Sequence, residues 1–175
     1  MSNPLDIRPS VAADVAALGR LYPQAFPDED LLPLVRDLLR TTPAALSLVA
    51  TLASRLVAHV IFTACALEGS RSQAALLGPL AVIPARQRQG IGSALVRDGC
   101  QRLRTAGVRH LYVLGSPAYY GRFGFRPESR VTPPYGLPPE WHDAWQSKPL
   151  GEADTDPSGM ILLPAPWLEQ RLWMP

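Results

Sequence analysis

An apolar run over 74–82 passes through Ile83-Pro84-Ala85-Arg86-Gln87-Arg88-Gln89 into Gly90-Ile91-Gly92 and an amphipathic helix. This strand–loop–helix order constrains the chain more than any other stretch, because it builds a seat for an anion. The first N–H groups of a helix have no intrahelical acceptor, and the macrodipole places partial positive charge there. Gly90 and Gly92 let the backbone approach an anion with no Cβ in the way. The spacing excludes two other phosphate seats. There is no Gly-Lys-Ser/Thr ending of a P-loop, and Ser93-Ala94-Leu95 occupies the place where a dinucleotide fold needs its third glycine.

A length of 175 residues with 47% apolar content predicts one globular domain over 1–175 with a sizeable core. The formal charge of +2 argues against a nucleic-acid partner. Cys65 and Cys100 stand apart and without a neighbouring histidine, so they predict free thiols, no zinc site and a reducing cytoplasm. The opening residues lack the basic and apolar regions of a signal peptide, and no apolar run reaches membrane-spanning length. Nineteen prolines are unevenly spread, and those within 127–157 read as a loop-rich insertion.

Leu5–Arg8 reads as a first strand. Ser10 reads as the N-cap of a helix over about 11–22, with Val11, Val15, Leu18 and Tyr22 on its apolar face. Asp28-Glu29-Asp30 precedes a second helix carrying Leu31, Leu34, Val35, Leu38 and Leu39. The acidic run reads first as a helix start, with the attraction of a cationic amine as the other reading. Leu46–Leu52 and Leu56–Ala64 predict an antiparallel hairpin. Pro79 within the fourth strand, Ala74–Val82, predicts a bulge or an edge. On the third helix Ile91, Leu95, Val96, Gly99, Leu103 and Ala106 share one face, and Gly107 terminates it. His110–Leu114 is a fifth strand parallel to the fourth. A short helix near 117–122, a strand from Gly124 and a strand over Ser158–Leu163 complete the chain.

Gln87-Arg88-Gln89-Gly90-Ile91-Gly92 resembles the Gln/Arg-x-x-Gly-x-Gly/Ala pyrophosphate loop of the GNAT N-acetyltransferase superfamily. Tyr120-Gly121-Arg122-Phe123-Gly124-Phe125 looks like that superfamily's Tyr-x-x-x-Gly-Phe element. The element order is that of the GNAT fold too, over 5–126 closely and 158–163 loosely. A bacterial branch of uncharacterised members is similar throughout. The resemblance implies an α/β GNAT fold: a central, mixed, mostly antiparallel sheet, with strands four and five parallel, flanked by helices.

It also implies acetyl-CoA as cosubstrate and no metal. The donor's pyrophosphate would lie on Gln87, Arg88, Gln89, Gly90, Ile91, Gly92 and Ser93, with Arg86 or Arg88 as side-chain contacts. Its pantetheine arm would pair with Leu80, Ala81 and Val82. The reaction would be direct attack of a primary amine, of a small molecule or a protein, on the thioester. Tyr120 would be the general acid for the departing thiolate, with Tyr119 as the other candidate. Phe123 and Phe125 read as packing residues.

The general base stays open. The fourth strand carries no carboxylate from Gln73 to Pro84. Glu68 reads as a turn residue, His59 as a core histidine and His110 as structural or exposed. Glu140, His142 and Asp143, beside Trp141 and Trp145, read as a short helix lining an acceptor mouth or as a surface helix packed on the sheet. The missing carboxylate keeps a non-catalytic acyl-CoA-binding regulator as the alternative, and a plain nucleotide-binding domain as a remote one. Many members of this superfamily are dimers, so a homodimer is compatible. The apolar Trp167–Trp173 run suits docking on the chain's own sheet or on a partner.

Overall fold

The computed structural model describes residues 4–41, 46–152 and 156–174. The first three residues and 153–155 of the proline-rich stretch lie outside it. The chain forms two compact units, Met1–Phe62 with Gly78–Gln101 and Thr63–Leu77 with Arg102–Pro175. Three elements contribute residues to both.

The first unit contains β1 (Asp6–Pro9), α1 (Val15–Ala25), α2 (Leu32–Arg40) and β2 (Leu46–Leu52). It also takes the first part of β3 (Arg55–Leu67), the last part of β4 (Ala74–Val82) and most of α3 (Ile91–Thr105). Its strand order is β1-β2-β3-β4, with β1–β2 and β2–β3 antiparallel. Residues Ser47–Thr51 of β2 are all buried, as a strand covered on both faces requires.

The start of α1 departs from expectation. Ser10 does not cap it; its hydroxyl donates to Ser47 Oγ at 2.6 Å. A 3-10 turn over Ala12–Asp14 comes first, and Asp14 accepts from the Val11 N–H at 2.8 Å. Arg8 grips the same carboxylate through both guanidinium ends, at 2.8 and 2.9 Å. The bond from Arg8 holds the Asp14 carboxyl below the usual range against the opposing effect of burial. The tighter turn shifts the helical phase, so Val11 and Val15 face solvent while Leu18, Leu21 and Tyr22 are buried. Helix α2 buries Leu34, Val35 and Leu38 as its periodicity requires.

His59 ties α1 to the sheet. Its Nδ1 lies 2.7 Å from the Tyr22 hydroxyl and its Nε2 lies 2.8 Å from Ser47 Oγ. A neutral imidazole has one donor and one acceptor, and a hydroxyl can serve either. Burial pushes this imidazole down from 6.5 to about 4, although Asp14 pulls the other way.

Helix α3 buries Ile91, Leu95, Val96, Cys100 and Leu103. Ser93, which the periodicity assigns to the polar face, is buried, and Ala106 is exposed. At Gly99 a Cβ would overlap the buried Phe62 ring. The helix ends at Gly107 (φ 89°), with the Val108 N–H bonded to the Leu103 carbonyl at 3.0 Å.

The second unit adds β5 (His110–Leu114), α4 (Pro117–Tyr120), β6 (Arg126–Pro127), β7 (Val131–Thr132), β8 (Trp145–Pro149) and β9 (Gly159–Leu162). Its path is β3-β4-β5-β8-β6, with β9 beside β3 and β7. β4 and β5 are parallel, in register from Ala74↔His110 to Leu77↔Val113. β4 is not the edge strand that Pro79 could have marked, since it lies between β3 and β5; the Gly78–Pro79 peptide is cis, just past the register with β5.

The proline-rich stretch is more than loop. β8 lies within it and pairs antiparallel with all of β5, from His110↔Pro149 to Leu114↔Trp145. Trp145, expected on a helix, instead begins this strand, stacks on Tyr112 at 5.7 Å and donates to the Val131 carbonyl at 2.7 Å. The Trp167–Trp173 run docks on the chain itself: Trp167 Nε1 donates to Thr63 Oγ1 at 3.0 Å, and Trp173 is 1% exposed. Among the described residues no helix is long and apolar enough to cross a membrane.

Two predictions follow from this packing. Gly99→Ala, a change that ordinarily stabilises a helix, should here destabilise by about 1–3 kcal/mol through overpacking against Phe62, as read by denaturant unfolding. The folded His59 binds its proton more weakly than the unfolded one, so its contribution is fully present above pH 6.5 and is lost toward pH 4. Unfolding free energy should fall across that window, and His59→Gln should flatten the slope; His110, pushed down by burial as well, leaves a residual one.

Candidate functional site: an open helix end and a seated tyrosine

The strand end and glycine loop lie together in the first unit. Ala81 is buried, while Leu80 and Val82 are half-buried. A 3-10 turn over Pro84–Arg86 follows, and residues 84–90 are all exposed. Two left-handed residues, Arg88 (φ 58°) and Gly90 (φ 81°), curl the backbone into α3. An added Cβ at Gly90 would meet nothing within 4 Å, so that flank of the loop is open. The Ala94 N–H donates to the Gly90 carbonyl at 2.9 Å. The N–H groups of Ile91, Gly92 and Ser93 therefore belong to the end that a helix leaves without intrahelical acceptors.

The loop is held by its own amides. Gln87 Nε2 donates to the Val82 carbonyl at 3.0 Å, and Gln89 Nε2 to the Ala85 carbonyl at 3.2 Å. Both residues belong to the loop expected at the anion, and their side chains fix its path from β4 to α3.

Tyr120 lies in the second unit, at the end of α4. Ser116 opens that helix by accepting from the Tyr119 N–H, and Pro117 takes the first position. Sequence reasoning did not single out this Ser-Pro pair, although it is a helix-start signal. The Tyr120 ring lies on Gly115, where a Cβ would overlap it. Gly115 is fixed on both sides: its N–H donates to the Ala144 carbonyl at 2.9 Å, and its carbonyl accepts from Gln146 at 3.0 Å. Phe125 meets the Tyr120 ring edge-on at 5.6 Å, and Tyr119 does so at 4.9 Å. Phe123 and Phe125 are buried packing residues, as expected. Burial raises the Tyr120 phenol above its ordinary value, with Tyr119 adding to the effect. Such a phenol keeps its proton at neutral pH and can donate a hydrogen bond to a developing anion. Tyr119 carries the Arg122 guanidinium over its ring at 4.5 Å.

The candidate bases scatter. His59 is the core histidine described above. His110 is buried on β5, and Glu68 is an exposed turn residue whose carboxylate accepts from the Met160 N–H at 3.2 Å. Glu140, His142 and Asp143 are exposed on a 3-10 turn over Pro139–Ala144, where His142 Nε2 lies 3.2 Å from the Leu137 carbonyl. Asp28, Glu29 and Asp30 border a small pocket with Tyr22 and Phe26, and Asp30 accepts from the Leu32 N–H. Burial pushes the Cys65 thiol up to about 12, which leaves it protonated and unreactive. Among the described residues no group of three or more His, Cys, Asp or Glu is arranged to hold a metal ion.

Residues 15–125 match the acetyltransferase (GNAT) family. The chain is 34% identical over 145 residues to the uncharacterised N-acetyltransferase YjhQ of Escherichia coli, covering 79% of this chain and 80% of that protein. It is 32% identical over 120 residues to YhbS of the same organism, covering 68% and 72%. The crystal structure of Escherichia coli YhbS in complex with CoA matches with a TM-score of 0.85 at 26% identity, over 97% of this chain and 94% of that one. A GNAT acetyltransferase of Brucella melitensis in complex with acetyl-CoA matches with a TM-score of 0.75 at 30% identity, over 94% and 98%. With more than half of its length inside the family's domain, and relatives above 30% identity across two thirds of it or more, the chain belongs to the GNAT acetyltransferase family.

Proposed function

We propose that the protein transfers an acetyl group from acetyl-CoA to the nitrogen of a primary amine, carried by a small molecule or a protein, by direct attack on the thioester. Family membership over 15–125 is the observation that carries this reading. The CoA and acetyl-CoA held by the two crystallised relatives support the choice of donor. The exposed loop and the open α3 end have the donor set that a pyrophosphate needs: backbone N–H groups, partial positive charge and glycines. Arg88 to Ser93 hold the diphosphate, and Leu80, Ala81 and Val82 present strand backbone to the pantetheine amides. Gln87 and Gln89 keep the loop in shape.

In the reaction the amine nitrogen bonds to the carbonyl carbon and the carbon–sulfur bond breaks. The net proton movement is from nitrogen to sulfur. We assign Tyr120 as the group that hydrogen-bonds the leaving sulfur and passes it a proton as charge develops there, because Gly115 seats the ring in one place and the family's tyrosine motif falls on it. No covalent enzyme intermediate is required. The absence of a carboxylate between Gln73 and Pro84 favours a second reading, an acyl-CoA-binding regulator without turnover.

The test is thiol release from acetyl-CoA against a panel of small amines and peptides. Turnover on one amine class supports the transferase; CoA binding with no release on any acceptor favours the regulator. Tyr120→Phe should lower kcat by at least about tenfold, since general acids contribute on the order of 10²-fold or more, with acetyl-CoA affinity unchanged. Gly115→Ala should lower kcat while leaving the phenol present, because the added methyl displaces the ring. Full activity in that variant would separate the position of Tyr120 from its proposed role.

A further inference from the structure

An open cleft of about 950 Å³ lies in the first unit, between α1, the β2–β3 turn and the segment after β4. Three of its lining residues are arginines: Arg20 on α1, Arg55 at the start of β3 and Arg86 in the turn after β4. No carboxylate is among the described residues that line it. The whole chain has 17 Lys and Arg against 15 Asp and Glu, so three cations without a counter-charge are a local excess and not the general surface character. The rest of the lining is mainly aliphatic, with Leu21, Leu56 and Ile83 among it.

The wall of the cleft is strained. Ala53 and Ser54 form the two-residue turn between β2 and β3 with φ of 48° and 62°. Both are L-residues in the left-handed region, where glycine or asparagine is the ordinary choice. Ala53 lines the cleft.

We propose that this cleft binds a polyanionic small molecule bearing phosphate groups, separate from the acetyl donor. A guanidinium matches phosphate oxygens with two parallel N–H bonds, which suits arginine at such a site. The volume is that of an ordinary small-ligand pocket. Because the arginines are exposed, binding is moderate in strength and falls with salt. Arg86 and Gln89 line this cleft and also belong to the segment assigned to the donor's diphosphate, so the two sites adjoin; Arg20 and Arg55 lie outside that assignment and take the cleft beyond the acetyl-transfer reading.

The experiment titrates inorganic pyrophosphate into the protein already saturated with CoA, at low ionic strength, and follows binding by calorimetry. The same titration is run on the Arg20→Gln/Arg55→Gln double variant. The wild-type protein should bind the anion, the double variant at least about tenfold more weakly, and CoA affinity should be equal in both. Three results overturn the proposal: no binding to the CoA-saturated protein, binding undiminished in the variant, or binding that CoA abolishes. A protein that binds no CoA would defeat the donor assignment instead, and the CoA-free titration of the two proteins would then decide the cleft.

Discussion

The approach of α3 to β3 at Gly99 is the contact on which the first unit depends. Phe62 occupies the space that a side chain on the helix would take. A helix packed this close lets the buried row from Ile91 to Leu103 reach the sheet. It thereby fixes where the helix begins. The open N–H groups are a property of that beginning, so one missing methyl group, two turns downstream, helps to set the position of the loop. Gln87 completes the arrangement from the other end, tying the loop to the last carbonyl of β4.

A different logic holds Tyr120. Its helix is a single turn long and contributes little rigidity of its own. The ring is located by what lies under it: Gly115, which β8 and the residue before it clamp through two backbone-directed hydrogen bonds. The half-buried phenol of Tyr120 remains protonated without further tuning, since desolvation disfavours the phenolate. Geometry is the quantity that the surrounding residues control. Gln146, which is 1% exposed, serves this seat and makes no claim on the chemistry.

Much of this was legible in the sequence. The hydrophobic periods located α2, α3, β2 and β5, and the glycine spacing located the loop, because each of these is a local signal. β8 was not legible. Trp145-Gln146-Ser147-Lys148-Pro149 is short, mostly polar and ends in a proline, and only its pairing with β5 makes it a strand. The start of α1 misled for a related reason. Ser10 is a good cap by type, but its hydroxyl is taken by Ser47, 37 residues away. The seat of Tyr120 was hidden too, because Gly115 has no sequence mark that distinguishes close packing from a simple turn. Where the chain is ruled by contacts distant in sequence, the local pattern gives way.

The four tryptophans, 141, 145, 167 and 173, all belong to the second unit. Trp145 and Trp173 meet edge-on at 5.9 Å, and Trp167 and Trp173 lie 6.2 Å apart. The first unit holds no indole at all. The molecule's red-edge emission therefore comes from one half only. The half carrying the glycine loop is optically silent at those wavelengths, so an indole introduced there would report on it against a background that never arises from it.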